Sequence, residues 1–290
     1  MLRIALFLAT NIAVLLVISI VFRLLGLETV LQSNGVDLDL EALLIYSAVI
    51  GFTGSLISLL MSKRLAKMMM RVRLVTTPAN RTEQWLIKTL EAQSKAAGIK
   101  TPDFGIFDSP APNAFATGWN KNDALIAVSS GLLEHMEQGE VEAVLAHEVS
   151  HAANGDMVTL ALIQGVMNTF VVFLSRIVGF LVDRLVFRVE RGHGLGFWVV
   201  SIISEIAFGI LATMVVMWFS RWREYRADAG GADLAGRQNM INALGRLKSI
   251  QIDAQLPDEM RALAINAGRV QALFASHPPL EKRIEALRNQ

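Results

Sequence analysis

The chain has 290 residues, of which 53% are hydrophobic and 18% are charged, and its mean hydropathy is +0.43. Soluble domains carry about 45–50% apolar and about 25% charged residues, so this composition excludes an ordinary soluble domain and indicates a membrane protein. The net charge of +1 gives no basic field for nucleic acid, and the absence of cysteine excludes disulfides, thiolate metal sites and a cysteine nucleophile. Any metal site must therefore use His, Asp or Glu side chains.

Two apolar stretches near the start of the chain predict a transmembrane hairpin. Residues 4–22 and 42–61 are each long enough, at ~1.5 Å per residue, to cross a hydrocarbon core of ~30 Å. We interpret residues 4–22 as a span and not as a cleaved signal peptide, whose apolar core would cover only ~7–15 residues. The connecting loop is acidic, whereas a basic segment, residues 63–73, follows the second stretch. The positive-inside rule therefore predicts that both ends of the hairpin face the cytoplasm.

The next region, residues 74–156, has the pattern of a soluble domain. An amphipathic helix is predicted over residues 82–97, where apolar residues recur at helical spacing between charged ones. Three short segments follow, which are alternating or apolar and are separated by turn-forming residues, and they predict a small meander sheet. The predicted strands are residues 103–107, 113–116 and 124–128.

Two further apolar stretches, residues 157–175 and 197–219, are also long enough to span a membrane. The loop between them is basic, which conflicts with a location outside the cell, but we favour full spanning over a tilted or partly covered hairpin. Glu205 in the second stretch is costly in lipid and is expected to face protein or water. The predicted parts of the chain are an N-terminal transmembrane hairpin, a soluble domain with the active-site helix, an apolar hairpin and a C-terminal helical part, at residues 1–73, 74–156, 157–219 and 220–290.

A metal-binding motif lies near the end of the soluble domain. The segment 139–151 begins with acidic residues, has no proline or interior glycine, and predicts a helix from about Glu140. His147 and His151 lie one turn apart, so both imidazoles project from the same face and can bind one zinc ion. Glu148 is offset by one residue, which places its carboxylate where it can take a proton from water at the open position of the metal.

A catalytic zinc ion usually has a third protein ligand, which must come from elsewhere in the chain. The best candidate is Glu224, just after the last apolar stretch, because Glu224 and Asp228 share a helix face. One of them can bind the metal while the other hydrogen-bonds a ligand imidazole. The other candidates are His135, His193, His277, Asp156, Glu190 and Glu205. If His151 and Glu224 meet at one ion, the apolar segments between them must cross the membrane either twice or not at all.

These features together resemble the HtpX family of bacterial membrane zinc proteases, relatives of the CAAX prenyl endopeptidase. The likeness covers essentially the whole chain and is carried by His147-Glu148-Val149-Ser150-His151, Glu224-x-x-x-Asp228, Asn113-Ala114-Phe115-Ala116-Thr117-Gly118 and Ser276-His277-Pro278-Pro279. The resemblance implies an α-helical polytopic membrane protein with a zincin-like (gluzincin) α+β catalytic domain and a small antiparallel or mixed sheet. It implies one Zn²⁺ per chain, and the family's roles fall on His147, His151 and Glu224 as ligands, on Glu148 as base and on Asp228 as a partner of the ligands.

Two other segments are candidates for contact with substrate. Asn113, Ala114, Phe115 and Ala116 are expected to form an exposed edge strand that binds an extended substrate through main-chain hydrogen bonds. The alternative is an internal strand with Phe115 in the core. The resemblance suggests that His277 lies near the catalytic centre and stabilises the oxyanion, whereas a lone histidine can also have a surface or capping role. We interpret His135 and His193 as structural or solvated.

The resulting hypothesis is a zinc endopeptidase at the cytoplasmic face of the bacterial inner membrane. The resemblance implies that it cleaves misfolded or damaged membrane proteins and also itself, so its partners are such substrates and the lipid bilayer. One alternative is an intramembrane protease whose metal lies within the bilayer, and the charged stretch of residues 134–142 before His147 argues against it. The other alternative is a non-catalytic membrane scaffold or adaptor that holds a structural zinc.

Overall fold

The computed structural model of the chain describes residues 39–189, 192–253 and 277–290, together with Ile20. The predicted first span, residues 4–22, lies outside the described residues apart from Ile20. The described helices are α1 (Leu40–Met69), α2 (Arg81–Ala96), α3 (Ser130–His135), α4 (Gln138–Asn154), α5 (Asp156–Leu185), α6 (Leu195–Ala235), α7 (Arg237–Asp253) and α8 (Leu280–Arg288). The strands are β1 (Arg73–Leu74), β2 (Asp103–Phe107), β3 (Ala114–Asn120) and β4 (Asp123–Ser129).

Three of the described helices, α1, α5 and α6, are long and apolar enough to cross a membrane. They contain the three other apolar stretches that the sequence predicts, and each helix extends beyond its predicted stretch. Large apolar side chains such as Ile45, Ile57 and Ile206 are more than half exposed on these helices, which suits a surface that faces lipid. The mostly helical, polytopic fold class with a small sheet is confirmed.

The chain divides into two compact units, Met1–Ile57 with Ala161–Val216 and Ser58–Leu160 with Met217–Gln290. In the first unit, α1 and α5 approach closely at Gly51. A Cβ atom at this position would lie 2.6 Å from the backbone nitrogen of Thr169 and 2.7 Å from the carbonyl oxygen of Gly165. Small residues of this kind allow two helix backbones to pack closely in lipid. Close packing matters there because apolar side chains gain little free energy by moving from lipid into a helix contact.

Two acidic side chains in the first unit, Glu205 and Asp183, have partners within it. Arg176 lies 2.9 Å from Glu205, so the acidic residue in the last apolar stretch faces protein, one of the two surroundings expected for it. The buried carboxylate of Asp183 accepts hydrogen bonds from the backbone N–H groups of Gly194 and Phe197, at 2.8 and 3.1 Å. These bonds satisfy backbone N–H groups around the first turn of α6. Such N–H groups have no carbonyl partner within the helix.

The second unit contains a four-stranded sheet in the order β1-β2-β4-β3. β2 and β4 run parallel, whereas β1 and β3 are antiparallel to their neighbours, so the sheet is mixed. The predicted meander order is wrong, because β4 lies between β2 and β3. β4 takes the central position because Ala124–Val128 are apolar and at most 2% exposed, as a strand covered on both faces requires.

Helix α4 lies in the core of the second unit. Leu145 and Val149 on this helix are fully buried together with Leu86 of α2, Ile126 of β4 and Leu244 of α7. Each such side chain contributes about 1.5–3 kcal/mol by leaving water. The histidine motif is therefore on a helix that is held by apolar contacts with the sheet and with two other helices.

The ends of α4 are defined by local interactions. A capping box between Glu137 and Glu140 starts the helix at Gln138, two residues before the predicted start. The helix ends at Gly155, which has a φ of 70° in the left-handed region that favours glycine. The next helix, α5, begins at Asp156. Helix α4, which carries the histidine motif, and the following apolar helix are therefore separated by a single glycine.

The close approach at Gly51 gives a first prediction. Gly51→Ala should lower the free energy of unfolding in detergent by about 1–3 kcal/mol, because the new methyl group meets backbone atoms of α5. The matched control is Gly54→Ala on the same helix, where a Cβ atom would meet nothing within 4 Å. Thermal unfolding of both variants checks this prediction. Equal transition midpoints for Gly51→Ala and Gly54→Ala would contradict the tight packing of α1 on α5.

Candidate metal centre

Two histidines of α4 and one glutamate of α6 bring their donor atoms together in the second unit. The Nε2 atoms of His147 and His151 are 3.1 Å apart. The two carboxylate oxygens of Glu224 lie 3.6 Å from Nε2 of His147 and 3.3 Å from Nε2 of His151. His147 and Glu224 are buried, and the side chain of His151 is 12% exposed. Among the described residues, these three side chains form the group that could hold a metal ion.

The spacing of the donor atoms fits a tetrahedral zinc ion. Ligand atoms at ~2.0–2.1 Å from the metal in a tetrahedral arrangement stand about 3.3 Å from one another. The two Nε2 atoms are 3.1 Å apart, and each lies near a different oxygen of Glu224, at 3.6 Å for His147 and 3.3 Å for His151, so all three separations are close to this value. Two imidazole nitrogens and one carboxylate oxygen are also a donor set that zinc prefers, and they leave a fourth position for water.

Each histidine of the cluster has an acidic neighbour at its other ring nitrogen. An oxygen of Asp156 lies 2.7 Å from Nδ1 of His151, and an oxygen of Asp228 lies 3.1 Å from Nδ1 of His147. The second contact is close but poorly aligned, since Nδ1 of His147 has no well-directed hydrogen bond to any residue that the structure describes. Carboxylates in these positions orient an imidazole and raise its basicity as a ligand.

Two buried arginines donate hydrogen bonds to these two acidic residues, one to a carboxylate and one to a backbone carbonyl. Arg283 on α8 donates from Nε and Nη2 to the two oxygens of Asp228, at 2.8 and 2.6 Å. Its third nitrogen, Nη1, lies 3.2 Å from Glu224. Arg223 on α6 donates to the backbone carbonyl of Asp156 at 3.0 Å. Such paired charges can be buried because each has a partner of opposite sign or a hydrogen bond.

The acidic surroundings change how readily the histidines bind protons. Burial alone would lower the pKa of His151, but its hydrogen bonds to Asp156 and Glu224 outweigh burial and raise the pKa to about 10. The pKa of His147 is also raised, because contacts with Asp228 and Glu224 exceed the opposing effect of burial. Without a metal, the cluster therefore attracts protons, and a bound cation would replace them.

Glu148 and His277 are the two residues that the sequence assigns to catalysis. Glu148 is buried on α4, between His147 and His151 in the sequence, and its carboxylate is near enough to His151 to contribute to the raised pKa of that imidazole. Nδ1 of His277 lies 2.7 Å from Glu224, while 62% of the His277 side chain is exposed. Both residues are thus near the donor cluster, and the His277 side chain is open to solvent.

The segment proposed to bind substrate lies at the edge of the sheet. Ala114–Thr117 of β3 pair with β4 on one side, and no described strand pairs with the other side. Asn113 precedes the strand and exchanges hydrogen bonds with Ser129. Phe115 is half-buried against the ring of Phe107, with the ring centroids 5.6 Å apart.

Two histidines lie away from the cluster. Nδ1 of His135 is 2.7 Å from the carbonyl oxygen of Gly131, and the ring of His193 packs against Phe180 and Phe197 in the first unit. Each has a local partner within its own unit. Neither contributes a donor atom to the cluster formed by the histidines of α4.

Sequence reasoning missed three residues that support the cluster. Asp156 was considered only as a possible ligand, and Arg223 and Arg283 were given no role. One signal for Arg283 was available: it stands four residues before Leu287, so both lie on the buried face of α8. A basic residue on a buried face needs an acidic partner, and the sequence offers several without identifying which one.

Comparison with known proteins agrees with this site. The sequence profile described as peptidase family M48 matches residues 80–290. Protease HtpX from Pseudoalteromonas atlantica is 66% identical over 287 residues, which cover 99% of each chain. Protease HtpX from Thioalkalivibrio sulfidiphilus is 60% identical, with 99% of this chain and 98% of that protein covered. Protease HtpX from Pseudomonas fluorescens is 57% identical over the whole of both chains.

The fold is also similar to a solved structure. The crystal structure of S. mikatae Ste24p matches with a TM-score of 0.60 at 20% sequence identity, and the match covers 93% of this chain and 66% of that chain. At this identity the likeness concerns the fold alone. The resemblance to the HtpX family is confirmed. The chain therefore belongs to peptidase family M48, and it is a multi-pass membrane metalloprotease similar along its whole length to HtpX proteases.

Proposed function

We propose that this chain is a zinc endopeptidase of the bacterial cytoplasmic membrane, which cleaves misfolded or damaged membrane proteins at the cytoplasmic membrane surface. The observation that carries the proposal is the convergence of His147, His151 and Glu224 at separations of 3.1–3.6 Å. The high identity to HtpX proteases supports the same activity. The membrane helices and the family likeness support the proposed substrate class and location.

In this proposal His147, His151 and Glu224 hold one zinc ion. A zinc ion at this place supplies Lewis acidity, which polarises a peptide carbonyl and makes water a stronger acid. Glu148 takes the proton from the attacking water and passes it to the amine that leaves. Its place on α4 directly after His147, with its charge acting on His151, supports this role, because the base must lie beside the position where water would meet the metal.

The other candidate residues position the substrate and its developing charge. An extended peptide would add to the free side of β3 beside Asn113, Ala114, Phe115 and Ala116. Main-chain hydrogen bonds of this kind depend little on the side chains of the peptide, which suits an enzyme that degrades many damaged proteins. The largely exposed His277 would donate a hydrogen bond to the oxyanion, while Glu224 engages its Nδ1 atom.

The position of the cluster along the chain supports a site at the membrane surface. His151 lies four residues before Gly155, and the apolar helix α5 begins directly after it. Glu224 follows the last residue of the predicted final span, Phe219, by about one turn of α6. Both ends of the apolar hairpin thus lead to the cluster, as two membrane crossings require. The basic segment after the second span supports the cytoplasmic side.

The assignment of the base leads to a second prediction. Glu148→Gln should retain the metal and lose about 10²–10⁴-fold or more in kcat, because an amide cannot accept the proton. Cleavage of an unfolded protein such as casein and of a membrane protein in detergent measures the loss, and metal analysis measures occupancy. Glu134→Gln on the exposed surface of α3 is the matched control and should keep full activity. Substantial cleavage by Glu148→Gln would require another base.

The assignment of the third ligand leads to a separate prediction. Glu224→Ala should lower zinc content strongly, since only two protein ligands remain, and proteolysis should fall with it. Metal analysis after dialysis against a chelator distinguishes this variant from Glu148→Gln, which keeps three ligands. Full zinc occupancy in Glu224→Ala would remove Glu224 from the ligand set.

The pairing of Arg283 with Asp228 leads to a fourth prediction. Arg283→Gln should lower the free energy of unfolding by about 3–5 kcal/mol, because a buried carboxylate loses its cation, and should also weaken zinc binding. Arg288→Gln is the control, since Arg288 is exposed on the same helix. Thermal unfolding and a zinc competition assay measure both effects. Equal behaviour of the two variants would show that the ion pair does not support the site.

A further inference from the structure

The hairpin between β3 and β4 presents a tryptophan to the outside. Trp119 is 47% exposed although it lies on a strand of the second unit. The register explains this exposure, because Gly118 pairs with Ala124 and Asn120 pairs with Asp123, which leaves Trp119 as an extra residue in a β-bulge. A bulge turns its side chain out of the regular alternation of the strand.

The bulge depends on the glycine before the tryptophan. Gly118 has a φ of 145°, which side-chain-bearing residues rarely adopt. A Cβ atom there would also collide with the backbone of Asp123 and Ala124. The hairpin is closed by the two residues Lys121 and Asn122, both exposed. The local sequence is therefore adapted to place an aromatic ring and a lysine at the end of the hairpin.

Contacts within the second unit join this hairpin end to α1 just after the predicted second span. The indole N–H of Trp119 donates to Asp123 at 2.6 Å, and the same carboxylate forms an ion pair with Lys63. Lys63 also lies 3.1 Å from Asp103 at the start of β2. It follows Met61, the last residue of the predicted second span, by two residues, or about 3 Å along α1.

The chemistry of the hairpin end matches the interfacial layer of a bilayer. Tryptophan is enriched at that depth because its ring is apolar while its N–H needs a polar partner, which Asp123 supplies. Lys121 and the exposed Arg64 and Arg71 add positive charge on the same side of the apolar run. Basic side chains at this position are attracted to anionic headgroups.

We propose that the end of the β3–β4 hairpin, residues 118–123, docks on the membrane surface, with the Trp119 ring in the headgroup layer of an anionic bilayer. The fixed hydrogen bond to Asp123 and the ion pair to Lys63 hold the ring at this depth. The proposal requires only that α1 crosses the membrane, and it does not depend on the assignment of the catalytic residues.

A spin label at the hairpin tip tests the proposal. Because the chain has no cysteine, Lys121→Cys creates a single labelling site and leaves Trp119 in place. The protein is placed in vesicles of phosphatidylethanolamine and phosphatidylglycerol. For the label at position 121, we expect the ratio of collisions with oxygen to collisions with a water-soluble nickel chelate to be several-fold higher than for a label at a control site. The control is Gln138→Cys, exposed at the start of α4 and about 25 Å along that helix from its membrane end.

The role of the tryptophan itself is tested by adding Trp119→Ser to the labelled Lys121→Cys protein. The collision ratio should then fall towards that of the control site. Equal ratios at positions 121 and 138 in the protein that keeps Trp119 would overturn the proposal. The proposal would also be overturned if the label at position 121 became protected from the nickel chelate only after a polypeptide substrate is added. The hairpin end would then contact substrate and not the membrane.

A measurement on the native tryptophan avoids any dependence on the label. Vesicles that contain lipids brominated near the headgroup should quench more fluorescence in the wild-type protein than in Trp119→Phe. The difference between the two proteins is the contribution of Trp119, and Trp85→Phe in the core of the second unit serves as the control substitution. Docking would be contradicted if the Trp119 fluorescence were quenched by acrylamide in the water and not by the brominated lipid.

Discussion

Two imidazoles on one helix turn need a further ligand to complete a metal site, and in this chain the side chain that meets them, Glu224, lies beyond an apolar hairpin. Helix α4 supplies His147 and His151, while Glu224 arrives on α6 after an apolar hairpin. These three side chains can bind one ion only if the two ends of the apolar hairpin between them lie next to each other. The membrane segments between these residues are therefore the part of the chain that connects α4 to Glu224.

The burial of charge around the cluster explains why so many helices meet there. Glu224, Asp228 and Asp156 are nearly inaccessible to water, and an isolated buried carboxylate is costly. Arg283 from α8 and Arg223 from α6 provide donors to this group, and the two histidines provide further polar contacts. Four helices, α4, α5, α6 and α8, thus contribute residues to one network, which holds the donor atoms at separations suited to a metal ion.

The edge strand β3 connects two properties of the second unit. One end of the strand begins at the segment proposed to pair with substrate, and the other end carries Trp119 beside the residues that contact Lys63. The strand proposed to pair with substrate and the hairpin end proposed to dock on the bilayer are therefore parts of one continuous element of the second unit.

Local patterns in the sequence determined the apolar helices, the pairing of His147 with His151 one turn apart, and the shared face of Glu224 and Asp228, because these depend on composition and helical spacing alone. The order of the strands was decided only in the tertiary structure. β4 displaced β3 from the centre because its unbroken apolar run had to be covered on both faces. Likewise, the contacts of Asp156 with His151 and of Arg283 with Asp228 join residues that must find each other in the folded core. A sequence shows that a buried charge needs a partner, but packing selects which partner it meets.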